Sequence, residues 1–365
     1  MPEAYCVCPA EFQCNIRMLN TMKLPTVNLI IPGLWALLRT LGAQDANALS
    51  RCNALSRLLR RSDRSVAGQM EPEHRVMEIL GVANDGNTPV AALERLADES
   101  VDGQGWWLRA DPVNLVADRQ YIVMQHPDAL GLDNDEAAQL VDLVNQHFAE
   151  DGWQLEMATP DRWYLRLSSP LDIETTPAWR VAGKDIDSYS PSGPDGLAWH
   201  ASLNELQMLL YSSPVNDLRI AQGRPPVTGL WIWGGGSLDD FSIQQKASLW
   251  GDSVFLKGLA RKSGLPHRPL PADWRTIIEA EPDLHTAIVW LGQASQALAS
   301  GNIEAGMQTL EQLEREAFAP LLQLLNTRKG VQLNICDVPG HEVQVSAKGV
   351  KRWWRKRQPI PDIPM

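Results

Sequence analysis

Apolar positions along this chain shift between unbroken runs, helical spacing and strict alternation, and each shift marks an element. Thr26-Val-Asn-Leu-Ile-Ile31 is a β-branched run broken by Pro32-Gly33, which predicts a buried, central parallel strand turning into a helix. Leu34, Leu37, Leu38 and Leu41, then Leu49, Leu55, Leu58 and Leu59, recur at helical spacing on either side of Gly42. Two shorter helices follow. One spans Glu71–Gly81 and stops at its glycine. The next opens at Thr88-Pro89, a capping residue followed by a proline that the first turn tolerates.

From Trp106 the pattern becomes that of strands. Arg109 and Asp111 alternate with apolar neighbours in Trp106–Leu115, and Gln120–Met124 follows as a second strand. Glu136–Phe148 is an amphipathic helix, and Trp153–Met157 and Arg162–Leu167 alternate as a half-exposed antiparallel pair. Residues 106–185 therefore read as a small α+β unit inserted into a larger α/β domain made of 23–105 and 186–365. The larger part continues with a helix over Ala198–Tyr211, a strand entering a helix at Trp250–Arg261, two long helices over 283–299 and 303–325, and late strands Val331–Ile335 and Glu342–Ser346.

At the centre of this order stands Thr228-Gly-Leu-Trp-Ile-Trp-Gly-Gly-Gly236. It reads as a short buried strand running into three glycines, placed in the core sheet. The carboxyl end of such a strand is where open α/β sheets bind ligands. Glycine permits positive φ and close backbone approach, so the segment is either an anion cradle or a tight turn under bulky indoles. It lacks the spacing of a dinucleotide or P-loop fingerprint.

Composition narrows the picture. A chain of 365 residues exceeds what one core usually fills. A net charge of −11 argues against nucleic acid and anionic membrane surfaces as partners. Arg57, Arg60, Arg61 and Arg64 read as a solvated helix face, and the basic, aromatic tail Lys351–Arg357 as a segment packing its indoles on the body. Five cysteines, three of them at Cys6, Cys8 and Cys14, favour a reducing cytoplasm over a disulfide framework. No apolar run reaches the length of a membrane span. Residues 1–22 hold Glu3, Glu11 and only Arg17, with no apolar core of a secretory signal, and are expected to lie outside the fold.

Several stretches in sequence order resemble one family: Leu80-Gly-Val82, Trp107-Leu-Arg-Ala-Asp-Pro-Val113, Asn216 with Arg219 and Gly223, Leu230-Trp-Ile-Trp-Gly-Gly-Gly236, and Arg352-Trp-Trp-Arg-Lys-Arg357. They are similar to RpfE-type regulatory, cofactor-independent phosphoglycerate mutase-like bacterial proteins. More distantly, they resemble the archaeal-type mutase of the alkaline phosphatase superfamily. The resemblance implies a mostly parallel central sheet flanked by helices, with a small inserted α+β subdomain. For an active member it also implies two divalent cations (Mn or Mg), a serine nucleophile, and Asp and His ligands. Two cations would clamp the attacking and leaving oxygens of phosphoryl transfer.

The sequence departs from that pattern where the chemistry would sit. Pro32-Gly33 stands where the family has Asp-Gly, and the nucleophile position falls near Glu71-Pro72, without Ser or Thr. Asp337, His341, Asp239 and Asp240 are weak metal candidates. The expectation is a mutase-like protein without the metal and serine set, non-catalytic, regulatory or ligand-binding, and requiring no cofactor. Its candidate ligand residues are Arg109, Asn216, Arg219, Trp233, Gly234, Gly235 and Gly236, suited to a small phosphorylated or carboxylate ligand through arginine's planar fork. The alternative is an active mutase or related metal-dependent phosphotransferase. A protein partner for the tryptophan-rich surface is a third reading.

Overall fold

The computed structural model describes residues 25–44, 51–66, 71–82, 88–99, 105–118, 121–239, 241–281, 283–328, 330–337 and 341–351. The first 24 residues, with Cys6, Cys8 and Cys14, and the tail beyond Lys351 lie outside the described residues. The strands are β1 (Thr26–Ile30), β2 (Asp63–Val66), β3 (Trp106–Asp118), β4 (Tyr121–Gln125), β5 (Gln154–Thr159), β6 (Arg162–Leu167), β7 (Gly229–Gly236), β8 (Ser248–Trp250), β9 (His267–Arg268), β10 (Thr286–Trp290), β11 (Gln332–Asp337) and β12 (His341–Ser346). The helices used below are α1 (Leu34–Gln44), α2 (Asn53–Arg60), α3 (Pro72–Leu80), α4 (Val90–Glu99), α5 (Asn134–His147), α6 (Gly196–Tyr211), α7 (Pro214–Ala221), α8 (Val254–Ser263), α9 (Gln293–Ala299), α10 (Ile303–Leu313) and α11 (Ala319–Thr327).

A seven-stranded sheet runs β2-β12-β11-β1-β10-β8-β9. Strands β11, β1, β10, β8 and β9 are parallel, and β12 and β2 close one edge antiparallel. β1 is covered on both faces. Val27 and Leu29 join a core with α1, α2, α10 and α11, while Ile30 joins a second core with α3, α4 and α8. Double coverage explains its unbroken apolar run.

The second sheet has five strands, β4-β3-β6-β5 with β7 added to β3. Its pleat separates two environments. Leu108, Ala110, Trp163, Leu165, Leu230 and Ile232 face a core shared with α5 and α6. Trp107, Val113, Tyr164, Trp231 and Trp233 face the core shared with α3, α4 and α8. The small sheet is thus held between α5 and α6 on one face and α3, α4 and α8 on the other.

Three features differ from the sequence reading. The tryptophan strand β7 pairs antiparallel with β3, not with the parallel sheet; a buried apolar run carries no information about which sheet it joins. Residues 286–290, read as helix, form β10, parallel to both β1 and β8. A strand buried on both faces loses the alternation that would separate it from a buried helix. The long helix over 303–325 contains a π-turn at Glu314–Phe318 just before Pro320. Proline has no N–H for the Glu316 carbonyl, and the Trp274 indole N–H donates to that oxygen instead at 2.7 Å.

The crossing of α4 and α8 depends on one glycine. A Cβ at Gly258 would stand 1.8 Å from the backbone oxygen of Leu93, so any side chain forces the helices apart. Gly258→Ala is expected to cost about 2 kcal/mol or more. Gly301→Ala, in open space at φ +63°, should cost about 1 kcal/mol from backbone strain. Thermal unfolding followed by circular dichroism compares the two; equal losses would refute the close crossing.

Candidate functional site

Ligands of an open parallel sheet sit beyond the carboxyl ends of its strands. Here β1 runs into Pro32-Gly33 and then directly into α1, with Gly33 at φ +81°. Asp337, at the end of neighbouring β11, reaches across. One of its carboxylate oxygens accepts the Gly33 N–H at 3.0 Å and the other accepts the Trp35 N–H. The first amides of a helix have no intrahelical acceptor and favour negative charge, so Asp337 caps α1 from another strand. Its side chain is buried.

This edge does not fit a pair of cations. Pro32 supplies no donor, and both Asp337 oxygens already take backbone N–H groups. Glu71, at the expected nucleophile position, ion-pairs with Arg180 at 2.5 Å. Asp239 accepts the Ser237 hydroxyl at 3.0 Å, far from β11 in sequence and in the other sheet's connection. Asp240 and the His341 side chain lie outside the described residues. Among the described residues, no group of three or more His, Cys, Asp or Glu is placed to hold a metal ion.

The densest chemistry lies where the small sheet meets α3 and α4. Arg109 on β3 donates through Nε to Asp111 at 3.0 Å and through Nη1 to Glu94 on α4. Trp233 on β7 donates its indole N–H to the other Asp111 oxygen at 2.7 Å. Beside them, Asp98 accepts two N–H groups of Arg162 at 2.8 and 2.9 Å and the Tyr164 hydroxyl at 2.6 Å. Burial works to lower the Arg109 pKa, but Asp111 and Glu94 outweigh it and hold the guanidinium charged. Burial pushes Glu94 up, against the pull of Arg109. Glu73, in the first turn of α3, has an Oε2 with no hydrogen-bond partner among the described residues. Burial, then the charge of Glu71, raise its pKa to about 8.

The remaining candidates are tied to the protein's own backbone. Asn216 donates to the carbonyls of Leu210 and Val227 at 2.7 and 2.8 Å and accepts the Val227 N–H at 2.8 Å. Arg219, fully buried, donates to the carbonyls of Pro225 and Leu130 and to Glu136. Together they fasten α6, α7 and the chain entering β7. In the glycine segment, the Gly234 N–H donates to the Thr175 hydroxyl at 3.2 Å. A Cβ on Gly234 would meet Val90 at 2.9 Å, on Gly235 the Trp106 ring at 2.8 Å, and on Gly236 Pro89 at 2.6 Å. The glycines let α4 and Trp106 lie directly on β7.

Sequence reading passed over Glu73, Glu94, Asp98 and Tyr164. The available signal was positional: Glu94 follows Leu93 directly on a helix with an apolar face, and Tyr164 shares the Arg162 side of an alternating strand.

Glu73 yields a pH dependence. Its folded pKa of about 8 lies above the ordinary 4.5, so the folded state binds the proton more tightly than the unfolded one. Stability is therefore full below the ordinary value and falls as pH rises toward about 8. The melting temperature should drop between about pH 5 and about pH 8.5 more steeply in the wild type than in Glu73→Gln. Parallel melting curves for the two proteins would expose the idea as wrong if their slopes coincide.

No family model matches the chain. The 2,3-bisphosphoglycerate-independent phosphoglycerate mutase of Methanosarcina mazei is 24% identical over 298 residues, spanning 76% of this chain and 73% of that protein. The enzyme of the same name from Methanosarcina acetivorans is 24% identical over 250 residues, spanning 63% and 61%. Among solved structures, the PH0037 protein from Pyrococcus horikoshii superposes with a TM-score of 0.50 at 14% identity, covering 89% of this chain and 88% of that one. The cofactor-independent phosphoglycerate mutase from Thermoplasma acidophilum gives 0.41 at 18% identity, covering 88% and 90%. These relatives overturn the expectation that no cofactor is required, because they carry the name of the enzymes for which the resemblance implies two divalent cations. No helix among the described residues is long and apolar enough to cross a membrane. The chain is a distant homologue of the 2,3-bisphosphoglycerate-independent phosphoglycerate mutases, with an alkaline phosphatase-like α/β fold.

Proposed function

We propose that this protein is a phosphoglycerate mutase-like regulatory or ligand-binding protein of the RpfE type, without phosphoryl-transfer turnover of its own. The observation that carries the reading is the position of Asp337. The carboxylate at the end of β11 bonds the amides that open α1, and the residue ending the β1 turn before Gly33 is a proline without a donor. Phosphoryl transfer needs carboxylates free to hold cations, and this one is engaged with backbone. The start of α3 supports the same reading, since Glu71-Pro72 offers no hydroxyl nucleophile. What remains is a two-sheet scaffold that binds a small anionic or carboxylate-bearing ligand and reports it to a partner.

The test is turnover of 3-phosphoglycerate with Mn²⁺ or Mg²⁺ supplied, with bound metal measured on the same sample. No turnover above the blank is expected, whatever the metal content. Asp337→Asn should lower stability by about 1–2 kcal/mol, as the loss of a helix cap does, and leave that null activity unchanged. Turnover in the wild type that disappears in Asp337→Asn would show the carboxylate to be a working catalytic group and overturn the reading.

A further inference from the structure

Helix α6 carries apolar residues on two opposite faces. Trp199, Leu203, Leu206 and Leu210 recur at spacings of four, three and four and pack into the core shared with α5 and the small sheet. Leu197, Ala201, Asn204, Met208 and Tyr211 follow the same rhythm two residues out of step. Two residues turn a helix by about 200°, so this second stripe points away from the core. All five of its members are exposed, Leu197 at 86%, Met208 at 68% and Tyr211 at 82%. A helix that is apolar all round is ordinarily buried all round, yet among the described residues nothing covers this stripe.

The pattern and the charge of the stripe both favour a second copy of the same chain. Positions repeating at four and three residues form the seam along which two helices of a coiled coil pack. No member of the stripe is charged. Glu205, the helix's one carboxylate, is bonded to His147 at 2.7 Å. A chain of net charge −11 repels its own copies over much of its surface, and the stripe is where two copies meet without opposing charges. It is about 21 Å long. Its exposed surface is on the order of 600 Å², so pairing removes more than about 1,000 Å² in total, the size at which specific interfaces begin.

We propose that α6 is the dimerisation helix of this protein, pairing antiparallel with α6 of a second copy across a two-fold axis at Asn204. Antiparallel order sets Leu197 against Tyr211 and Ala201 against Met208 of the second copy, small beside large. Parallel order would leave alanine facing alanine and methionine facing methionine, which packs poorly. Asn204 meets its own symmetry mate. An amide both donates and accepts, so this central polar pair satisfies itself and fixes the register. The inference stands whether or not the protein turns over a substrate.

Sedimentation velocity on the full chain tests it, at about 1–100 µM, a range that brackets micromolar interfaces of this size. A monomer–dimer equilibrium is expected. Leu197→Glu and Met208→Glu each force a carboxylate into the seam from an exposed position, and each should weaken the dimer about 100-fold or more with the melting temperature unchanged. Cysteine cross-linking reads the helix order, in a chain whose Cys6, Cys8 and Cys14 are replaced by Ser. Mild oxidation should link two copies of Asn204→Cys and leave Leu197→Cys unlinked, because only the former brings its two sulfurs within disulfide reach. The proposal is overturned if the folded wild type stays monomeric throughout, or if either glutamate substitution leaves the dimer as strong as before. It is equally overturned if Leu197→Cys links as readily as Asn204→Cys.

Discussion

The guanidinium of Arg109 joins carboxylates from two elements, Glu94 on α4 and Asp111 on its own strand, where the surroundings are nearly closed to water. Taking such charges out of solvent costs several kcal/mol per ion unless the geometry repays it, and loss of one partner leaves a buried charge at about 3–5 kcal/mol. The arrangement therefore stabilises the fold less than it specifies it. β3 has one register in which Arg109 meets Glu94 while Asp111 meets the Trp233 indole. A slip by one residue would turn the guanidinium into the apolar side packed on α5 and α6. The small sheet is oriented on α4 by this set, and the glycines of β7 allow α4 to come close enough to make it.

How much of this could be read from sequence depended on whether the pattern was local. The strands of the small sheet are half-polar, so their alternation is plain, and β3, β5 and β6 lie where Trp106–Leu115, Trp153–Met157 and Arg162–Leu167 alternate. β1 was legible because Pro32-Gly33 punctuates it. β10 was not, because Ala287, Ile288 and Val289 are all buried between two parallel neighbours and carry no period. β7 was recognised as a strand, yet its sheet was set by a partner more than 100 residues earlier, β3.

The candidate residues divide on the same principle. Asn216 and Arg219 stood out by residue type, and type alone does not say whether donors point at a ligand or at the chain. Both bond backbone carbonyls across the α6–α7 connection. Glu73 and Glu94 drew no notice, because a carboxylate on an amphipathic helix is ordinarily solvated. The face of a helix that becomes buried by a second sheet is decided by tertiary structure alone. Asp337 carried a recognisable position but an unforeseen partner, since the amides it bonds belong to the other end of the chain.

That last contact bears on how the molecule is made. The Asp337 carboxylate and the amides of Gly33 and Trp35 are separated by 304 and 302 residues, nearly the whole described chain. During synthesis the first strand and helix leave the ribosome long before β11 exists, and at about 5–20 residues per second the wait lasts on the order of tens of seconds. Through that interval β1 lacks both of its parallel neighbours, and the start of α1 lacks its counter-charge. An element near the start of the described residues is thus secured only once β11 is made. Until β10 and then β11 are made, the buried strand β1 has neither of its parallel partners.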